Sequence, residues 1–166
     1  MREAEDSTIV LGIDPGTAVT GYGVVSRARD GAVTLVECGV IRTSPRNSLA
    51  DRIREIYEEI GALTDRFEPR VVSVEDVFQG KNARSALTLG HARGAILLAA
   101  SLADAEIAEY TAREIKKAVA GTGRATKDQV GFMVMKHLRL RSQPGPYDAS
   151  DGVAAALCHC FVGDFS

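Results

Sequence analysis

The chain has 166 residues, of which 45% are hydrophobic and 25% are charged, and its formal net charge is −2. This length predicts one domain that buries a core of its own, and the composition is typical of a globular protein. No run of about 18 apolar residues is present, so the sequence predicts no membrane-spanning segment.

The first seven residues are polar and acidic, and we predict a disordered extension over 1–7 and a single domain over 8–166. The extension lacks the apolar core of a signal peptide, so we expect a cytoplasmic protein. Three cysteines without CxxC spacing favour reduced thiols, which agrees with that compartment.

A short apolar run over 8–13 predicts a buried strand that ends on the carboxylate of Asp14. Pro15 and Gly16 then turn the chain sharply. A carboxylate at the end of a core strand must be paired, hydrogen-bonded or bound to a metal ion.

Two β-rich runs, 20–26 and 32–41, follow on either side of Asp30-Gly31, which is a hairpin signal. They predict an antiparallel meander with the first strand. Apolar residues at helical spacing predict a helix over 49–63, and 71–74 reads as a buried strand that ends on Glu75. The order strand, helix, strand predicts a parallel neighbour of the first strand, so that Asp14 and Glu75 lie side by side.

A long helix is predicted over 83–103, with a stripe of small residues at Ala86, Gly90 and Gly94. This stripe has two interpretations: packing within the domain, or a contact between two copies of the chain. The remaining pattern predicts a strand over 106–110, a basic helix over 113–120, a helix capped by Thr126 and a last helix from Asp148.

The segment 111–141 holds eight basic residues and two acidic ones on a chain that is otherwise acidic. Such a segment is either a local footprint for a polyanion or an ordinary solvated helix surface.

Four acids stand at element ends: Asp14, Glu75, Asp148 and Asp151. Taken alone, Asp148 is explained as a helix cap and Asp14 as a turn residue. Taken together, without an obvious basic partner beside them, they favour a site for Mg²⁺ or Mn²⁺. Two such ions about 4 Å apart serve phosphodiester hydrolysis.

Seven short motifs stand out along the chain: Ile13-Asp14-Pro15-Gly16, Val74-Glu75-Asp76-Val77-Phe78, Lys81-Asn82, Ser85-Ala86-Leu87, Leu89-Gly90, Ala92-Arg93-Gly94 and Asp148-Ala149-Ser150-Asp151. In this order they resemble the RuvC family of bacterial Holliday junction resolvases. The resemblance runs in order from about residue 9 to residue 159.

The resemblance implies an α/β fold of the RNase H-like type, with a mixed five-stranded sheet flanked by helices. It implies a homodimeric endonuclease that cuts four-way DNA junctions symmetrically in recombination and repair, with the RuvA–RuvB branch-migration complex as a partner. The four acids would be catalytic and would hold the metal ions. The implied DNA-binding residues are Phe78, Lys81, Arg84, Lys116, Lys117, Arg124 and Lys127.

One position departs from the family: Gly152 follows the fourth acid, where Ala is frequent, and we expect this change to loosen the last helix slightly. Two alternative functions stay open at this point. Asp14-Pro15-Gly16-Thr17 also resembles the first phosphate loop of actin-like and sugar-kinase ATPases, of which this chain would be a fragment. The third interpretation is a junction-binding module without catalysis.

Overall fold

The computed structural model describes residues 7–76 and 82–165. Five strands and five helices lie in these two ranges. They are β1 (Ser7–Asp14), β2 (Val19–Ala28), β3 (Val33–Arg42), α1 (Leu49–Phe67), β4 (Val71–Asp76), α2 (Ala83–Leu102), β5 (Glu106–Thr111), α3 (Ala112–Ala120), α4 (Lys127–His137) and α5 (Tyr147–Val162).

The strands form one mixed sheet in the order β3-β2-β1-β4-β5. The first three are antiparallel neighbours, and the turn at Asp30-Gly31 joins β2 to β3 as predicted. Strands β4 and β5 run parallel to β1. The predicted mixed five-stranded sheet is therefore confirmed.

Helix starts follow the capping residues in the sequence. Thr126 caps α4 and Thr111 caps α3, each in a reciprocal capping box with the residue three positions on. Helix α5 differs from the prediction by one residue: it begins at Tyr147, and Pro146 is its N-cap.

Helices cover both faces of the sheet. Successive residues of each strand point to opposite faces, and the central strands carry apolar side chains on both. One core lies between the sheet and helices α1 and α2, and it includes Leu11, Ile13 and Val74. The other lies between the sheet and helices α3, α4 and α5, and it includes Val10 and Val71.

Helix α5 touches the sheet through main-chain atoms. A Cβ on Gly12 would collide with the carbonyl oxygen of Gly152 and the amide nitrogen of Ala156. A Cβ on Gly152 would lie 2.5 Å from Cα of Tyr22. Gly152 thus seats the helix against β2, and the expectation that it merely loosens α5 misses this packing role. The Ser73 hydroxyl donates a 2.7 Å hydrogen bond to the carbonyl oxygen of Ala155 and fixes the same contact.

Helix α2 leaves its stripe of small residues exposed. Ala86, Gly90 and Gly94 face outwards, and nothing described lies within 4 Å of a Cβ placed on either glycine. Of the two interpretations of the stripe, packing within the domain is therefore wrong.

By length and composition alone, α2 is long and apolar enough to cross a membrane, with a mean hydropathy of 1.2, although the sequence predicted no such segment. Core helices of globular proteins share this length and composition when they are mostly buried, whereas 28% of this stretch is buried. The inner residues of α2, among them Ala92 and Ile96, are buried in the core shared with α1.

Acid destabilisation is expected to depend on His159, which is 2% exposed and whose Nδ1 lies 2.7 Å from the Tyr110 hydroxyl. Burial lowers the pKa of this imidazole below 6.5. As the pH falls below about 6.5 the unfolded chain takes up the proton first, so stability declines by about 1.4 kcal/mol for each unit between the two pKa values. In urea unfolding at pH 5, 6 and 7, wild type should lose more stability on acidification than His159→Gln. Equal pH slopes would contradict this role.

Candidate active site

Two adjacent parallel strands bring Asp14 and Glu75 together. Ile13 of β1 pairs with Val74 of β4, so the next residue of each strand ends at the same edge of the sheet. Both side chains point towards the face that α5 covers, and both line the same cavity. The predicted adjacency of these two strand ends is confirmed.

The first turns of α5 bring two more acids to the same place. Asp148 and Asp151 are three residues apart and share one face of the helix. Asp148 is not the cap of α5, since Pro146 occupies that position, so the interpretation as a helix cap is wrong. One carboxylate oxygen from each of Asp14, Asp148 and Asp151 can be chosen so that all three lie within 4.8 Å of one another.

We call Asp14, Glu75, Asp148 and Asp151 the acid cluster. Three of its members, Asp14, Glu75 and Asp151, border a cavity of about 250 Å³ whose far wall comes from α3 and α4. The lining residues are Asp14, Glu75, Ala112, Ile115, Lys116, Lys127, Val130, Asp151 and Ala154.

The acid cluster is electrostatically costly without a cation. Burial raises the pKa of Asp14 to about 8, and repulsion from Glu75, Asp151 and Asp148 adds to the effect. Burial also raises the pKa of Glu75, against the opposing influence of Lys116 and Lys127. Carboxylates crowded in this way are stabilised by protons or by bound cations.

One basic side chain does enter the acid cluster. Nζ of Lys127 lies 2.9 Å from Oδ2 of Asp151, and that contact raises the pKa of the lysine. The same ammonium lies 5.5 Å from the ring centroid of Tyr147. No basic residue stands beside the acids in the sequence, and the fold supplies a partner for Asp151 from 24 residues earlier in the chain.

The donor set fits a hard divalent cation. At least three carboxylate oxygens can approach one point, and oxygen ligands of this kind suit Mg²⁺ and Mn²⁺. One lysine leaves a net negative charge on four acids. The residues present thus agree with the predicted type of metal site.

The predicted DNA-binding residues fall into three groups. Lys116 and Lys127 line the cavity. Arg84, Lys117 and Arg124 are exposed on α2, on α3 and on the loop before α4. Phe78 and Lys81 lie outside the described residues.

Sequence reasoning assigned no role to Arg93, although this residue belongs to one of the family motifs. Its guanidinium pairs with Glu109 of β5 and lies 3.5 Å from Oδ1 of Asp76 in β4. An arginine next to the small and apolar residues of the second half of α2 was the available signal for such a contact.

Comparisons with known proteins agree with this geometry. The family model described as crossover junction endodeoxyribonuclease RuvC matches residues 10–159. A crossover junction endodeoxyribonuclease RuvC of Pelotomaculum thermopropionicum is 46% identical over 151 residues, which are 91% of this chain and 92% of the relative.

Solved structures show the same similarity. T. thermophilus RuvC in complex with a Holliday junction substrate superposes with a TM-score of 0.88 at 35% identity, over 93% of each chain. The yeast mitochondrial Holliday junction resolvase superposes with a TM-score of 0.66 over 92% of this chain and 79% of its own. At 14% identity, the yeast protein supports the fold alone.

Proposed function

The chain belongs to the RuvC family of crossover junction endodeoxyribonucleases, and we propose from this membership that the acid cluster is its catalytic centre. The enzyme is an endonuclease that resolves Holliday junctions, and its fold is RNase H-like. The observation that supports the catalytic assignment is the gathering of acids from two strands and one helix: Asp14, Glu75 and Asp151 line one cavity, and Asp148 lies beside Asp14 and Asp151.

The proposed metal is Mg²⁺ or Mn²⁺, with two ions in each site held by the carboxylates of the acid cluster. When bound, such ions activate the attacking water and stabilise the leaving 3′ oxygen of a phosphodiester. The chain itself supplies the ligands and a partly buried cavity. Lys116 and Lys127 line that cavity, where their ammonium groups are placed to attract the DNA phosphate.

The proposed substrate is a four-way DNA junction, the ligand in the T. thermophilus complex. Basic residues near the cavity would hold the phosphate backbone, and Phe78 with Lys81 would contact the DNA from the segment after β4. The DNA-contacting side chains that we propose among the described residues are Arg84, Lys116, Lys117, Arg124 and Lys127.

A homodimer is proposed because symmetric cutting of a junction needs two active sites. The exposed side of α2 offers a surface for it, with Leu87 68% exposed, Leu98 54% exposed and open space beside Gly90 and Gly94. The RuvA–RuvB branch-migration complex is the proposed partner, and recombination and repair of cytoplasmic DNA are the proposed setting.

A cleavage assay tests this function. A mobile four-way junction should be cut in Mg²⁺ or Mn²⁺, while duplex and single-stranded controls of the same sequence should stay intact. Binding without cutting in both metals would instead support a non-catalytic junction-binding module. The ATPase alternative is not favoured, since RuvC relatives match nearly the whole chain, and calorimetry with ATP should show no binding.

Lys127→Ala is expected to weaken junction binding several-fold, because the side chain lines the cavity and its ammonium lies 2.9 Å from Asp151. Loss of one phosphate contact should also lower the slope of log affinity against log salt by about one. Fluorescence anisotropy in EDTA, over a series of salt concentrations, measures both effects. The control is Arg54→Ala, which removes an exposed cation of α1 that pairs within its own helix. An unchanged salt slope for Lys127→Ala would remove this lysine from the interface.

A further inference from the structure

Arg93 ties helix α2 to the ends of two strands. Its guanidinium pairs with Glu109 of β5 and lies 3.5 Å from Oδ1 of Asp76, the last residue of β4. The side chain is only 20% exposed, and its Nε and Nη2 atoms are buried without a hydrogen bond to any described residue, so its contacts with the two carboxylates are ionic. A buried guanidinium depends on nearby carboxylates to offset its charge, so the attraction favours positions in which Asp76 and Glu109 stay beside Arg93.

The register of the sheet places this contact directly behind the acid cluster. Val74 of β4 pairs with Glu109 of β5, and side chains alternate between faces along a strand. Asp76 and Glu109 therefore lie on the face that α2 covers. Glu75, between Val74 and Asp76, points to the opposite face and into the cavity.

We propose that Arg93 is a positioning residue for the active site: by holding Asp76, it fixes the end of β4 and so aims Glu75 at the acid cluster. The reason is local, because a strand end fixed at one residue leaves its neighbour little freedom to rotate. The inference rests on the proposed function only in taking Glu75 as a metal ligand. Arg93 itself touches neither the cavity nor the DNA phosphate in this role.

Arg93→Gln and Asp76→Asn test the proposal, with Mn²⁺ binding followed by the EPR signal of the free ion. Each variant should bind Mn²⁺ about tenfold more weakly than wild type, the loss typical when a partner that orients a metal ligand is removed. The double variant should be no weaker than either single one, since both changes break the same contact. Arg93→Lys should recover part of the loss, because it keeps the charge but not the planar fork.

Two further measurements separate positioning from general damage. Junction affinity in EDTA should stay within about twofold of wild type, while the cleavage rate at saturating junction falls about tenfold. The matched control is Arg66→Gln, which breaks a 2.7 Å pair between Arg66 and Glu37 far from the acid cluster. This control should bind Mn²⁺ as wild type does.

Wild-type Mn²⁺ affinity in both Arg93→Gln and Asp76→Asn would overturn the proposal. If Arg93→Gln does not fold, Asp76→Asn decides alone, because it leaves the arginine and its Glu109 pair in place. Failure of the proposed function looks different: wild type itself would then leave the junction uncut in Mg²⁺ and in Mn²⁺.

Discussion

Asp14→Asn is expected to abolish junction cleavage and, at the same time, to make the metal-free protein more stable. The amide keeps the size of the side chain but removes a charged ligand from the acid cluster. A fall of about 1,000-fold or more in the cleavage rate corresponds to about 4 kcal/mol of lost transition-state stabilisation. Binding of the junction in EDTA should persist, since phosphate contacts supply most of the affinity.

The gain in stability follows from the electrostatics of the acid cluster. In the folded protein the pKa of Asp14 is raised to about 8, whereas an unfolded aspartate ionises near 3.8. Between these values the folded state holds the proton that the unfolded chain has released, so rising pH lowers stability through this group. At pH 8, Asp14→Asn should gain about 1–2 kcal/mol, or roughly 3–6 °C in melting temperature.

Thermal unfolding with and without Mg²⁺ checks this prediction. The ion should raise the melting temperature of wild type at pH 8 and should have a much smaller effect on Asp14→Asn. Asp65→Asn is the control, because it makes the same change on the exposed surface of α1. Cleavage by Asp14→Asn at the wild-type rate would remove this residue from the catalytic centre.

Gly12→Ala is expected to cost about 3 kcal/mol or more of unfolding free energy. The added methyl group would meet two backbone atoms of α5 and the Cβ of Ala156, none of which can rotate out of the way. Overpacking of a rigid core commonly costs 1–3 kcal/mol, and collision with main-chain atoms lies at the upper end. In the fraction of the variant protein that folds, α5 must move away from β1. This movement separates Asp14 from Asp148 and Asp151, so the Mn²⁺ affinity should fall as well.

Gly61→Ala provides the matched control for Gly12→Ala. Gly61 lies inside α1, and nothing described lies within 4 Å of a Cβ placed on it. The same substitution should therefore stabilise the protein by about 0.5–1 kcal/mol through helix propensity. Urea unfolding measures both variants. A Gly12→Ala protein within 0.5 kcal/mol of wild type would show that α5 does not depend on this close approach.

The sequence alone was enough to predict that Asp14 and Glu75, the two strand-borne members of the acid cluster, lie side by side. Apolar runs before Asp14 and Glu75 identify two core strands, and an intervening helix makes those strands parallel. The position of Asp148 was harder, since an acid at a helix start serves equally well as a cap. Only the structure shows that Pro146 already occupies the cap position.

Contacts between helices and strands that are far apart in the chain could not be predicted from the sequence. The Lys127–Asp151 ion pair depends on how α4 packs beside α5, and no spacing rule links positions 24 residues apart. The same holds for Arg93, whose partners come from two different strands. The small-residue stripe of α2 had two interpretations because glycine lets another backbone approach a helix closely, whether that backbone belongs to the same domain or to a second copy of the chain.

The main-chain contact between Gly12 and Gly152 has a consequence for redesign. The two backbones touch directly, without a side chain between them that could change its conformation. Repacking the surrounding core therefore cannot bring β1 and α5 closer together. The spacing between the strand-borne and helix-borne carboxylates is therefore set by the backbone. A change in ion selectivity should therefore be sought by lengthening individual ligands, for example with Asp148→Glu, while Gly12 and Gly152 are kept.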